Sequence, residues 1–469
     1  MLKINKKKYN LLDLYKSIRD KSLSPIDIAE KVIENYSNTK SSLNAYREFD
    51  PDKILNRAKV VNKKINKSID SGKLMGIPIS IKDLYGVSGY KTYAGTPSAL
   101  PIKWEVEGPI VKNTQKQCAL ITGKTHTVEF AFGGLGINPH WGTPINPWDS
   151  KNHRVPGGSS AGAGVSIETG TAMIALGSDT AGSVRIPASI TGNVGLKTTV
   201  GRWSTDGIVP LSTSLDTAGI MTNTIEDLFF SFLEINKHSK IKSKININEI
   251  NNYVNNSYKY GLVDWFFEEC DPYINREILK VFDKISSRNQ NKITAIQSSE
   301  IKESHALFLK GGLAASEFGS FINNEMIEFK KTLDPNVAYR IKDISDFPAI
   351  EYIQRVKELK VLSNKIHLLF NEIDFLLSPT IIISAPKVSD LVEVDAYSKA
   401  NSAFLRNTSP INLLGLCAVT IPVALDNNQI PIGLQIIGAK NKEEEVMIAA
   451  RSIENIIGNK YQSLNKDIL

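Results

Sequence analysis

Two stretches of the chain invite a chemical reading: Pro156-Gly-Gly-Ser159-Ser160-Ala-Gly162-Ala-Gly164, and Gly177-Ser-Asp179-Thr180-Ala-Gly182-Ser183-Val-Arg185-Ile-Pro187. Amide cleavage needs a nucleophile, a base that is neutral near pH 7, and donors for the developing oxyanion. Ser183 follows Thr180, Ala181 and Gly182, whose small side chains let consecutive N–H groups line a pocket beside a hydroxyl. Lys82 closes the apolar run Gly76-Ile-Pro-Ile-Ser-Ile, and burial there lowers a lysine pKa towards neutrality. A neutral amine accepts a hydroxyl proton, and Ser–Lys pairs are a variant of triad logic. Spacing alone leaves this pairing open. Either glycine cluster by itself serves equally well as a packing turn.

Two nucleotide- or hydrolase-like readings fail on their neighbours. Gly123-Lys124-Thr125 ends like a phosphate loop, but Cys118 stands where its first glycine belongs. Gly158-Ser-Ser160-Ala-Gly162 fits GxSxG, yet the polar, proline-closed Lys151–Pro156 leaves no strand to feed an α/β-hydrolase elbow. His126, His140 and His153 lie near the motifs and are read as surface or core residues. Cys417, in an apolar run, is read as a small core residue. Cys118, Cys270 and Cys417 form no framework or metal spacing, so no metal is assigned and a reducing compartment is expected.

The elements that must hold these residues follow from pattern. Leu11, Leu14 and Ile18 recur at helical spacing, and Ser24-Pro25 reads as a cap opening a second helix through Tyr36. A third amphipathic helix is predicted over 52–69. A short strand is expected to end at Lys82. Strand and helix character mix over 107–133, and residues 133–202 are rich in Gly, Ser, Thr and Ala. Residues 236–258 read as a solvated excursion and 259–345 as mostly helical. Further helices are predicted at 349–371 and 442–456, and strands at Ile373–Thr380, Ala418–Pro422 and Ile432–Gly438. Interleaved strands and helices argue an α/β fold.

The chain has 469 residues, 42% hydrophobic and 22% charged, which excludes a disordered chain, a fibre or a small disulfide scaffold. Length alone allows about three domains. The net charge of +7 is a mild excess, partly in Lys6-Lys7-Lys8 and Lys63-Lys64, and is read as a solvated face rather than a nucleic-acid footprint. No apolar run is long enough to span a membrane and no signal-peptide pattern opens the chain, so a cytoplasmic location is expected.

Taken together, residues 76–221 resemble the amidase signature family. The matching pieces are Gly76–Asp83, Gly123-Lys-Thr, Glu129-Phe-Ala, Asn146-Pro-Trp, Pro156–Ser160, Leu176–Ala188 and Gly195-Leu-Lys197. Leu377-Ser-Pro-Thr380, Asn412, Ile421-Pro422 and Pro431–Gln435 are similar to that family's return to its core. The resemblance implies an α/β fold with a mixed central sheet flanked by helices on both faces. It implies one domain, 1–469: N-terminal helices to 70, signature core 71–235, a variable helical excursion 236–345, and a return to the core 346–469. It also implies a Ser-cisSer-Lys triad, with Lys82 matching the lysine, Ser159 the bridging serine after a cis bond from Gly158, and Ser183 the nucleophile. Backbone N–H groups of Thr180, Ala181, Gly182 and Ser183 would hold the oxyanion. Ser160 is expected to support Ser159. Asp179 and Arg185 are read as electrostatic support or as an ion pair holding the loop. Ala161 and Ala181 replace family glycines, and a positive φ at Ala181 would strain it.

The implied activity is hydrolysis of a small or medium carboxamide through an acyl-enzyme, releasing ammonia or an amine, with no cofactor. Substrate choice is expected to lie in 236–345 and 380–410. The alternative is the glutaminase subunit of a tRNA-dependent amidotransferase, the one case in which nucleic acid enters. Its tyrosine-rich helix is reduced here to Tyr352 within Phe347–Gln354. A homodimer stays open.

Overall fold

The computed structural model describes residues 9–237, 239–288 and 290–458. The lysines at 6–8 lie outside them. Lys63 is exposed and Lys64 half-buried, its Nζ 3.2 Å from Cys118 Sγ.

The strands are β1 Tyr46–Glu48, β2 Pro78–Lys82, β3 Leu120–Thr125, β4 Ile174–Asp179, β5 Val194–Lys197, β6 Thr217–Thr222, β7 Lys259–Val263, β8 Lys292–Ile296, β9 Phe375–Pro379, β10 Cys417–Leu425 and β11 Pro431–Gly438. They form one mixed sheet of 11 strands in the order β1-β3-β2-β4-β6-β5-β10-β11-β9-β7-β8. β2 runs parallel to β3 and β4, and β7 parallel to β8 and β9; the other pairs are antiparallel.

Every residue of β2, β3, β4, β6 and β11 is buried, so both faces of the sheet must be covered. Alternation shows by what. Ile174, Leu176 and Ile220 point into the main core with Leu228 and Phe229 of helix Ile225–Asn236. Ala175 and Met221 point the other way, onto Ala163 and Ile167 of helix Ala161–Glu168 and Ala188 of helix Arg185–Thr191. That second layer sits close because its residues are small. A Cβ on Gly162 would lie 1.9 Å from Ala45 O, and one on Gly164 2.2 Å from Thr191 Oγ1.

The N-terminal helices form at Leu11–Arg19, Pro25–Leu43 and Pro51–Asn66. Ser24 caps the second: its hydroxyl accepts from Asp27 N at 3.1 Å while Asp27 accepts from Ser24 N at 3.0 Å. The predicted late strands and the helices Ala349–Leu369 and Glu443–Ile457 are present. Two expectations hold in the main and are refined. Residues 259–345 are mostly helical, but they also contribute β7 and β8, which extend the sheet at one end. β8 is the edge strand and half-exposed, whereas β7, between β9 and β8, is mostly buried; each opens on an exposed lysine, Lys259 or Lys292. Residues 236–258 are not wholly solvated, since Ile247 and Ile250 enter the core. Among the described residues no helix is long and apolar enough to cross a membrane.

Candidate active site

The site is built where β2 and β4 end side by side. Lys82 is the last residue of β2, and Asp179 the last of β4. Lys82 is fully buried, and its Nζ lies 2.6 Å from Ser159 Oγ and 2.9 Å from Ser178 Oγ. Burial drives its pKa down to about 7, against the opposing charges of Asp179 and Asp216.

Ser159 enters from a loop pinned on three sides. Gly158 N donates to Gly134 O at 2.7 Å, Ser159 O accepts from Val128 N at 3.1 Å, and Ser160 N donates to Ser183 O at 3.2 Å. The Gly158–Ser159 peptide bond is cis. The last of those hydrogen bonds lays the two serine loops against each other. Ser160's hydroxyl bonds Ser178 O at 3.4 Å rather than Ser159, so its contact to the site runs through β4.

Asp179 shapes the turn from β4 into helix Arg185–Thr191. Its carboxylate accepts from Gly182 N at 2.7 Å and Val184 N at 3.1 Å, and pairs with Arg185 at 2.9 Å, both side chains being fully buried. Burial opposes that charge, but Arg185, Lys197 and Asn412 outweigh it and hold Asp179 well below the usual carboxylate range. Arg185 also reaches Gln435 at 2.5 Å, Thr408 O at 3.1 Å, and Asn412. Of the two readings of this pair, the geometry is that of an ion pair holding the loop.

One expected oxyanion donor is removed by this arrangement. Gly182 N–H is spent on Asp179, whereas the N–H groups of Thr180, Ala181 and Ser183 carry no hydrogen bond among the described residues. The left-handed backbone also falls on Gly182, at φ +136°, and not on Ala181, so the alanine is unstrained. A Cβ on Gly182 would lie 2.2 Å from Thr408 Oγ1.

Sequence reasoning missed Ser178, Asp216 and Thr408. Ser178 is the second partner of Lys82. Asp216 accepts from Thr180 Oγ1 at 2.5 Å and is pushed up to about 6 by burial. Thr408 donates to Ala181 O at 2.6 Å. Ser178 lay inside the quoted motif; the other two are brought in from distant segments that carry no local signal.

The remaining candidates stand apart from this cluster. His126 is buried beside Asn44, burial taking its pKa down to about 4; His140 meets Glu129 at 3.1 Å; His153 meets Thr143 O at 3.2 Å. Cys417 is fully buried on β10. Lys124, from the phosphate-loop-like triplet, is on β3 and pairs with Asp83 at 2.9 Å. Among the described residues no cluster of His, Cys, Asp and Glu is placed to hold a metal.

Ser183, 4% exposed, lies with Thr180 and Ala181 on the wall of a cavity of about 550 Å³. Leu211 and Leu215 line it, as do residues of 307–315, 336–347 and 394–405. A cavity of this size suits a small organic substrate.

A fold and site of this kind define an amide-cleaving hydrolase class, and comparison with known proteins agrees. Residues 27–447 match the model of the family described as Amidase, so the chain belongs to the amidase family and is an amidase, a hydrolase acting on C–N bonds. It is 40% identical over 450 residues to a 2-amino-5-chloromuconic acid deaminase of Comamonas testosteroni, covering 95% of this chain and 96% of that protein. It is 28% identical to a glutamyl-tRNA(Gln) amidotransferase subunit of Gloeobacter violaceus, covering 94% and 95%. A crystal structure described as an amidase superposes with a TM-score of 0.85 at 26% identity, over 96% of this chain and 100% of that one.

Proposed function

We propose that this amidase cleaves a small or medium carboxamide with Ser183 as nucleophile, Ser159 as proton relay and Lys82 as base. Neutral Lys82 draws the Ser159 proton as Ser159 takes that of Ser183. The Ser183 oxygen forms a bond to the amide carbon, and N–H groups of Thr180, Ala181 and Ser183 receive the oxyanion. The C–N bond breaks as the proton returns to nitrogen, so ammonia or an amine leaves. Water then adds to the acyl-enzyme and releases the carboxylic acid.

The observation that carries this reading is the 2.6 Å contact between a buried lysine of pKa about 7 and Ser159, beside a cavity that Ser183 lines. The relative at 40% identity is named for a C–N cleavage that removes nitrogen from a carboxylic acid, which fits a hydrolase that releases ammonia. A cytoplasmic location is part of the proposal and rests on three free cysteines. The division into one domain with a variable 236–345 region is likewise our reading.

The glutaminase reading is kept as the alternative, because relatives from tRNA-dependent amidotransferases align over nearly the whole chain. The helix Ala349–Leu369 carries one tyrosine, Tyr352, and counts against it.

The test is ammonia release from a panel of primary amides, glutamine included, by the protein and by Ser183→Ala. Release from a non-glutamine amide that falls at least about 10³-fold in the variant is expected. Equal release by both proteins would remove Ser183 from its role. Release from glutamine alone would move the assignment to the glutaminase of an amidotransferase.

A further inference from the structure

We propose that Arg340 anchors a carboxylate on the acyl part of the substrate, so that this enzyme takes amides of anionic acids. The inference rests on the hydrolase reading above and deepens it.

Arg340 is the last residue of helix Pro335–Arg340 and half-buried in the wall of the cavity that Ser183 lines. Its guanidinium carbon sits 4.8 Å from the ring centre of Phe132 and 6.0 Å from that of Tyr397. Both rings line the same cavity and lie within cation–π reach of the guanidinium. Yet Arg340 forms no ion pair among the described residues. The buried arginines nearest in kind, Arg185 and Arg406, both have carboxylate partners.

The charge balance of the cavity points the same way. Its lining carries Lys310, Arg340 and Lys342 against a single carboxylate, Asp343. Lys310, Lys342 and Asp343 are exposed at the rim, which leaves Arg340 as the half-buried charge. The same lining includes the apolar side chains of Leu307, Phe308, Leu313 and Leu405. A guanidinium with no ion-pair partner among the described residues, on the lining of a partly apolar cavity, matches a short hydrocarbon spacer ending in a carboxylate, which it can bind bidentately. The same field disfavours a cationic acyl chain.

The experiment compares succinamate, glutaramate and adipamate, each with its isosteric neutral amide in which an isopropyl end replaces the carboxylate. In the wild type, kcat/KM for at least one anionic member should exceed its neutral isostere by about tenfold or more. In Arg340→Gln that ratio should collapse towards one, with the change in KM, and Arg340→Lys should retain part of it. Undiminished preference in Arg340→Gln, or a parallel fall for both members of each pair, would overturn the assignment; the latter marks a structural role. If the wild type turns over no amide, the hydrolase reading fails separately. Calorimetric binding of the same pairs to Ser183→Ala then decides the anchor. Tighter binding of the anionic member, lost on adding Arg340→Gln, supports it, and equal binding of both members overturns it.

Discussion

At the scale of single residues, the proposed mechanism makes Lys82 the group that sets the pH behaviour of the site. Its pKa is about 7 in the folded chain and that of an ordinary lysine when unfolded. In its proposed role as base it must be neutral, so kcat/KM should rise with pH through about 7 and level off above it, and Lys82→Ala should abolish both the rise and the activity. A pH–rate profile checks this. The stability consequence has the opposite direction from a stabilising charge. The unfolded chain binds the Lys82 proton more tightly, so folding carries a penalty that is full below about pH 7 and fades as pH climbs to the ordinary lysine range. Lys82→Met should therefore raise Tm, most at pH 6 and least near pH 10. A gain independent of pH would contradict the burial argument. Gly182 makes a second test. Gly182→Ala must accept φ +136° and displace Thr408 Oγ1, so turnover should fall steeply while Ala181→Gly changes little.

At the scale of elements, the strand-to-turn-to-helix unit from β4 to helix Arg185–Thr191 does the positioning. Asp179 ends the strand, holds two N–H groups of the turn and pairs with the first helical residue, so one carboxylate fixes the path on which Ser183 sits. Removing its partner leaves a buried charge uncompensated. Arg185→Met should cost about 3–5 kcal/mol in denaturant unfolding. Because the Asp179 pKa is depressed, the stability it supplies is present above the ordinary carboxylate pKa and lost as pH falls below it. The Arg185→Met deficit should accordingly shrink in acid.

At the scale of the molecule, the cavity is closed by segments distant in sequence. Glu317, on helix Leu313–Glu325, accepts from Ser212 Oγ at 3.0 Å, Thr213 Oγ1 at 3.1 Å, Ser214 N at 3.0 Å and Tyr352 OH at 2.9 Å. The loop it grips carries Leu211 and Leu215 of the cavity wall, and Asp216, which holds Thr180. Glu317→Ala should loosen that loop, raising KM more than it lowers kcat and speeding amide exchange over 210–216. Unchanged KM with unchanged exchange would show the clasp to be idle.

The local order of the sequence was enough to determine much of this protein. Motif strings around Lys82, Ser159 and Ser183 carried the family, and apolar periodicity placed β2, β9, β10, β11 and the N-terminal helices, because these features are set by neighbours a few residues away. What only the tertiary structure decided depends on residues far apart. β7 and β8 are short runs set among helical patterns, and only the sheet they join shows them to be strands. Gly182 N–H reads as a free donor until Asp179 turns back onto it. Arg340 is one arginine among many until folding brings it beside Phe132 and Tyr397, with no ion-pair partner among the described residues. Periodicity and motif report what a segment prefers; partners across the fold decide which polar groups are spent and which are left for a substrate.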